Sequence, residues 1–254
     1  MTNTKTGTNQ NDTLHGTDHA DTIYGWAGND LIKGKKGSDH LYGDEGNDLV
    51  YGYEGNDFIA GSFGNDSLYG GAGHDEVYGG VENDLVYGEA GNDYLLGQLG
   101  DDQLFGGDGN DYLNASGPTA NGVRGYGEYD ELTGGKGADT FSLATDLFKQ
   151  GNRLVGNPAY LEDDQLNITN SKGFAVIKDF NLHEGDKVQL DGFAAHYELV
   201  SVFWGQSFGS ASKADTAIVY KGSEQDKFDV VGVLQDVSLN SAHLHIPTVF
   251  TYTM

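Results

Sequence analysis

The 254-residue sequence has no cysteine, only 3 prolines and only two arginines, Arg124 and Arg153. The lack of cysteine excludes disulfide staples, thiolate metal centres and a cysteine nucleophile. Basic residues are scarce: 14 Lys+Arg face 39 Asp+Glu, for a net charge of −25. That balance excludes attraction to nucleic acid or to anionic lipid, and it leaves few bidentate partners for the acids. Hydrophobic residues make up 37%, low for a packed globule. No run approaches the roughly 18 apolar residues of a membrane helix. The opening stretch, MTNTKTGTNQND, lacks the apolar core and cleavage pattern of an ordinary secretory signal.

Glycine is abundant, at 40 residues. Paired with so little proline, it points to many sharp turns rather than a stiff linker. The glycines recur with a period. Stepping by nine from Asp12 meets Asp21, Asp30, Asp39, Asp48, Asp57, Asp66, Asp75, Asp84, Asp93, Asp102 and Asp111 without a miss. Two residues after each stands a branched aliphatic, from Leu14 through Val50 and Ile59 to Leu113. Four residues after each Asp, Gly16 to Gly106 fill eleven of twelve positions. Disorder would not require an aliphatic in every unit, so low complexity is not the explanation.

Each unit divides into a six-residue turn, such as Gly43 to Asp48, and a three-residue strand, such as Leu49-Val50-Tyr51. In a strand the middle aliphatic points in and its neighbours point out. Two units bring the chain round, so a coil takes 18 residues and equivalent strands stack in parallel about 4.8 Å apart. The expected fold is all-β: a parallel β-roll with a thin aliphatic core between two sheets.

The same stacking places Asp12, Asp30, Asp48, Asp66, Asp84 and Asp102 along one edge, and Asp21, Asp39, Asp57, Asp75, Asp93 and Asp111 along the other. Carboxylates at strand spacing repel one another. The few lysines cannot neutralise them, which calls for hard divalent cations held by carboxylate and carbonyl oxygens. Ca²⁺ tolerates irregular six- to eight-fold shells.

The segments GGAGHDEVYGG (70–80) and GGDGNDYLN (106–114) resemble the GGxGxDxUx nonapeptide of RTX proteins, calcium-binding parallel β-rolls. The resemblance covers residues 7–143. It implies that each Ca²⁺ lies between two turns of one edge, held by the Asp of both. Backbone carbonyls at Gly25, Gly28, Gly34, Gly37, Gly43, Gly46, Gly52, Gly55, Gly61 and Gly64 are expected to complete the shells. Gly70, Gly73, Gly88, Gly91, Gly97, Gly100, Gly106 and Gly109 are expected to do the same further along. Pairs 18 apart give five sites per edge, about ten Ca²⁺, whose +20 nearly balances −25.

The pattern has departures. The motif's second glycine is replaced by Trp26, Lys35, Asp44, Tyr53 and Ser62, and the later one by His19 and Glu82. Glu82 is expected to weaken the Asp84 turn; the alternative is an added carboxylate. After Asp111 the register slips by one residue. Residues 114–125 read as a degenerate repeat with an insertion, a bulging loop whose site is lost or weak. Asp130 and Asp139 then resume the spacing, with Leu132 and Phe141 in the aliphatic slot.

From about residue 142 the repeats end. Segments 174–180, 187–193, 197–204, 215–221, 228–235 and 248–253 read as strands, whereas 143–172 is loop-rich. An open stack exposes its last edge, so residues 144–254 are expected to form a β-rich cap on the 1–143 roll. AVIKDFNLHEGDKVQLDGF (175–193) resembles the C-terminal part of secreted bacterial and cyanobacterial RTX-type proteins. That resemblance implies an uncleaved type I secretion signal, the secretion apparatus as a partner, and an extracellular location.

GQSFG (205–209) matches a nucleophile-elbow spacing, but no strand-turn-helix context surrounds it. His243 and His245 alone do not make a zinc site. The chain is therefore not expected to be an enzyme. An outward ladder of Tyr51, Tyr69, Tyr87 and Phe105 is expected on one sheet. It serves cross-strand stabilisation or, in a functional role, a stripe for a surface polysaccharide. An adhesive module and the non-catalytic part of a secreted enzyme system are also compatible with the sequence.

Overall fold

In the computed structural model the described residues are 3–114, 128–142, 147–150, 153–156, 173–179, 184, 186–191, 197–202, 215–221, 228–234 and 250–253. Every regular element among them is a strand.

Odd-numbered strands build most of one ten-stranded sheet. It begins with β1 (Asn3–Thr6), β3 (Asp21–Ala27), β5 (His40–Glu45), β7 (Phe58–Phe63) and β9 (Glu76–Val81). It continues with β11 (Tyr94–Leu99), β13 (Tyr112–Asn114), β15 (Thr140–Ser142), β19 (Lys187–Asp191) and β23 (Phe250–Thr253).

The second sheet has eleven strands. It opens with β2 (Thr13–His15), β4 (Leu31–Lys36), β6 (Leu49–Glu54), β8 (Ser67–Ala72), β10 (Leu85–Ala90) and β12 (Gln103–Asp108). Then come β14 (Glu128–Lys136), β18 (Gly173–Ile177), β22 (Phe228–Leu234), β21 (Asp215–Lys221) and β20 (Tyr197–Val202). A separate hairpin pairs β16 (Leu147–Gln150) with β17 (Arg153–Gly156).

The 18-residue coil holds from β1 to β13. Leu49 pairs with Leu31 and Ser67, and Phe58 with His40 and Glu76, all in parallel. Ile23, Ile32, Leu41, Val50, Ile59, Leu68, Val77, Val86, Leu95, Leu104 and Leu113 are fully buried between the sheets. Leu14, in the first coil, is only half-buried. Leu132, Phe141, Ile177 and Val188 extend the core past the repeats.

The strands are longer than the three residues expected. Pairing continues through the first three turn positions, as in Tyr53↔Gly71 and Glu54↔Ala72. Stacked identical turns offer matching N–H and C=O groups, so the ladder does not stop where the side-chain alternation does.

Between 111 and 128 the spacing changes. β12 pairs with β14 as Gln103↔Glu131, and β13 with β15 as Tyr112↔Thr140. Each offset is 28 residues, one coil plus ten. No described strand lies between β13 and β14, so Asp130 stacks on the edge of Asp102 rather than on that of Asp111. Most of the 114–125 segment lies outside the described residues.

Both sheets run on beyond residue 143. β18 and β22 follow β14 in parallel, and β19 and β23 follow β15. Antiparallel β21 and β20 then finish the second sheet. Each of the six C-terminal segments read as strands overlaps one of β18 to β23, though several are expected to run further; residues 180, 192–193, 203–204, 235 and 248–249 lie outside the described residues.

The second turn position is left-handed in every turn from 25 onward that the structure describes. Gly71, Gly80, Gly107 and Gly135 adopt it freely, whereas Trp26, Lys35, Asp44, Tyr53, Ser62, Glu89 and Gln98 hold φ between 74° and 89°. Each non-glycine there stores about 1 kcal/mol of strain. Ser62→Gly is expected to raise stability by about 1 kcal/mol. A higher urea midpoint in Ca²⁺ is the readout; an unchanged or lower one would mean that the position is relaxed.

Candidate metal sites along the two turn edges

Each repeat Asp sits at the sixth position of its turn, where the chain enters the next strand. Asp30, Asp39, Asp48, Asp57, Asp66, Asp75, Asp84, Asp93, Asp102, Asp111, Asp130 and Asp139 are all at most 3% exposed. They form the two rows expected from the sequence. In each row the amide N–H of one Asp donates to Oδ1 of the Asp in the following coil. Asp30 donates to Asp48, Asp39 to Asp57 and Asp66 to Asp84, at 2.7–2.8 Å. The rung survives the 28-residue step, from Asp102 to Asp130 and from Asp111 to Asp139, at 3.0 and 2.9 Å.

The other oxygen has a different fate. Oδ2 of Asp30, Asp39, Asp48, Asp57, Asp66, Asp75, Asp84, Asp93, Asp111 and Asp139 is buried and accepts no hydrogen bond. It faces the first glycine of its own turn. A methyl added to Gly25 would lie 2.4 Å from Asp30 Oδ2 and 2.5 Å from the carbonyl oxygen of Gly43 in the next coil. Gly52, between Asp57 Oδ2 and the Gly70 carbonyl, repeats this geometry at 2.3 and 2.4 Å. Glycine thus opens a cradle into which a carboxylate oxygen and a carbonyl oxygen converge. Such a donor set, all oxygen and partly anionic, fits Ca²⁺.

Among the described residues no three His, Asp or Glu side chains gather around one point. A cation in this cradle would therefore rely on backbone carbonyls beside paired carboxylates. Lys36 and Lys136, on the turn edges, do not take its place: they pair with the exposed Glu54 and Asp108.

The first turn on each edge is built otherwise. Asp12 Oδ2 accepts both the amide and the hydroxyl of Thr8, at 2.6 and 2.8 Å. Asp21 Oδ2 accepts the same pair from Thr17, at 2.5 and 2.9 Å. Neither threonine is left-handed. Burial pushes Asp21 up, but the Thr17 amide and hydroxyl, together with Asn3 and the Lys5 charge, outweigh it and hold this carboxyl below its usual value.

At the Asp84 turn, Glu82 is left-handed with φ 76°, and its Oε2 accepts the Gly64 amide at 2.9 Å. Its side chain is exposed and engaged with the previous coil.

A second side-chain ladder runs at the fifth turn position with opposite polarity. Asn29 Oδ1 accepts the Asn47 amide, Asn47 that of Asn65, and Asn65 that of Asn83. On the other edge His74 Nδ1 accepts from Asn92, and Asn92 from Asn110.

Sequence reasoning missed Asp179 and Asp186. Asp179 accepts the Gly134 and Gly135 amides, and Asp186 Oδ1 accepts the Asp139 amide. The run Asp186-Lys187-Val188 repeats the Asp-x-aliphatic signature and could have revealed the second. The expected ladder Tyr51–Tyr69–Tyr87–Phe105 is stacked at 4.7–4.8 Å. Another, unexpected, links Tyr24, Tyr42, Phe58, Tyr78, Tyr94 and Tyr112 on the opposite sheet. Ser207, His243 and His245 lie outside the described residues.

The RTX calcium-binding nonapeptide repeat matches residues 6–41, 27–59, 51–86, 78–113 and 121–145, and the chain belongs to that family. The AlgE6R2 subunit of the Azotobacter vinelandii mannuronan C5-epimerase is 21% identical. That match covers 67% of this chain and 88% of the subunit, with a TM-score of 0.38. The AlgE6R3 subunit of that enzyme is 17% identical over 96% of this chain and 80% of its own, with a TM-score of 0.23. No curated protein matches the sequence.

The rows are electrostatically loaded. Burial pushes the carboxyls up, the amide of the preceding Asp opposes it, and neighbouring carboxylates add to it. Asp39, Asp48, Asp57 and Asp139 rise to about 6, Asp75 and Asp111 to about 7, Asp66 to about 8 and Asp84 to about 9. A carboxyl raised above its ordinary value of 3.8 binds its proton more tightly folded than unfolded. Metal-free stability is therefore fully present below about 4 and lost as pH rises through 6 to 9. Without metal, the β circular dichroism should persist at pH 4 and fade by pH 9. Adding Ca²⁺ at pH 8 should restore it with release of protons. A metal-free chain more stable at pH 9 than at pH 4 would contradict the loading of the rows.

Proposed function

We propose that the chain is a secreted calcium-binding module whose roll folds on binding about ten Ca²⁺. The carrying observation is the row of buried Oδ2 atoms without hydrogen-bond donors, each beside a glycine cradle and a carbonyl oxygen. At the first turn of each row Thr8 and Thr17 already donate to Oδ2 of Asp12 and Asp21. The intervals from Asp30 to Asp130 and from Asp39 to Asp139 then give five sites per edge.

Bound there, Ca²⁺ would supply the positive charge that lets stacked carboxylates remain ionised. The chain's own residues do the rest. The Asp amides fix Oδ1, the glycines leave room for Oδ2, and the aliphatic core closes only when the turns stack. Binding free energy thereby becomes folding free energy. The unfolded anionic chain suits export through a narrow channel of a type I apparatus. Extracellular Ca²⁺ then folds it, with a dissociation constant of about 10⁻⁴–10⁻³ M. Residues 144–254 act as cap and secretion region for the 1–143 roll, in a non-catalytic role. Among the described residues no helix is long and apolar enough to cross a membrane.

Circular dichroism across a Ca²⁺ titration at neutral pH tests this. A cooperative gain of β signal with Ca²⁺ but not with Mg²⁺ is expected. A roll already folded in chelator, with no further gain, would refute the coupling.

A second reading, binding of a surface polysaccharide, draws on the stacked Tyr51–Phe105 stripe. An open groove of about 570 Å³, where Lys33, Lys35 and Lys36 stand beside Tyr53 and the carboxylates of Asp18, Glu54 and Glu89, adjoins it, and the Tyr53 ring stacks on Tyr51 at 5.5 Å. Aromatic faces beside mixed polar and charged side chains suit the rings and hydroxyls of a sugar. Tyr69→Ala with Tyr87→Ala should then abolish glycan-array binding at saturating Ca²⁺; unchanged binding would discard the stripe.

A further inference from the structure

We infer that Asp139 and Asp186 hold an additional divalent-cation site, closed by a residue from outside the repeats. It takes the same hard-oxygen ligand class as the rows and rests on that reading of them. The repeat match ends at residue 145, and the ten intervals of the two rows end at Asp139.

The geometry continues where the repeats stop. β18 lies on β14 with Leu132 beside Ile177, an offset of 45. β19 lies on β15 with Thr140 beside Lys187, an offset of 47. The chain joining β18 to β19 is thus two residues longer than the turn beneath it, yet it delivers Asp186 to the same place. The Asp139 amide donates to Asp186 Oδ1 at 3.0 Å, the rung found along both rows. Asp186 is 2% exposed, and Val188 two residues later is fully buried, as in every interior unit.

The unsatisfied oxygen is present too. Asp139 is 1% exposed, and its Oδ2 accepts no hydrogen bond. A methyl on Gly134 would lie 2.3 Å from it, as at the repeat glycines, but Phe141 Cζ at 2.9 Å stands where the repeats bring a carbonyl oxygen, so this site draws on side-chain carboxylates more than the repeat sites do. In the register of β18 on β14, Asp179 stands where the next coil's first glycine would be. Its carboxylate turns to the Gly134 and Gly135 amides, at 2.9 and 2.7 Å. That leaves Asp139 Oδ2 and the Asp186 carboxylate as the side-chain ligands. The Lys178 ammonium is engaged by Glu131. A cation held here would clamp β18 and β19 onto the last repeat coil.

Native mass spectrometry of the full chain at saturating Ca²⁺ counts bound ions singly. Asp186→Asn keeps an acceptor for the Asp139 amide, so the roll should fold and carry one Ca²⁺ fewer. Amides of 187–191 should also exchange at a higher Ca²⁺ concentration than in the wild type. Asp179→Asn should keep the wild-type count. If Asp186→Asn does not fold, Gly134→Ala gives the same readout, because its methyl displaces Asp139 Oδ2. An unchanged count in the folded variant overturns the site while leaving the repeat sites standing. A wild-type chain without bound Ca²⁺ overturns both.

Discussion

Stacking identical carboxylates one strand apart is the constraint on which the rest of the structure depends. From Asp30 to Asp93, and at Asp111 and Asp139, an amide from the previous coil satisfies one oxygen of the Asp, but the protein supplies no donor for the other. Thin aliphatic packing, one side chain per turn, cannot offset a column of buried like charges. The scarcity of lysine and arginine, the glycine at each cradle and the acidic net charge all follow from leaving that place to a hard cation. Where the chain does without one, at the first turn of each edge, it uses the amide and hydroxyl of a threonine that is not left-handed. The choice between the two kinds of turn lies in a single backbone position.

The turns are held from both directions. Asp side chains accept from the coil before, whereas the Asn, Ser and His side chains at the neighbouring position accept from the coil after. Two ladders of opposite sense resist slippage of one coil against the next more strongly than either would alone. On the sheet faces, the stacked aromatic rings add cross-strand contacts of about 0.2–1 kcal/mol each. Register is thus specified at the edges, in the core and on the faces.

Much of this was legible in the sequence because one residue type recurs at one spacing. Asp at every ninth position implies two rows, and the aliphatic two residues later implies a core between two sheets. The ladder from Tyr51 to Phe105 was visible because all its members share one position of the unit. The opposite ladder was hidden because Tyr24, Tyr42 and Tyr78 follow the aliphatic, whereas Phe58, Tyr94 and Tyr112 precede it. Thr8 and Thr17 gave no sign, since their role depends on which way a peptide faces. Asp186 escaped because its distance from Asp139, 47 residues, has no relation to nine. Only the pairing of β18 and β19 with the last coil brings it into the row.

The 28-residue step has a consequence for how such a chain can change over time. A solenoid of two alternating edges has a parity: adding one nonapeptide would move every later Asp to the opposite side and pair each strand with the wrong sheet. The ten extra residues after Asp111 do not have this effect, because Asp130 and Asp139 still fall on the edges of Asp102 and Asp111. The stack therefore counts coils and not residues. Chain length between β13 and β14 can therefore change without disturbing the rows on either side, which makes that stretch a natural point for grafting.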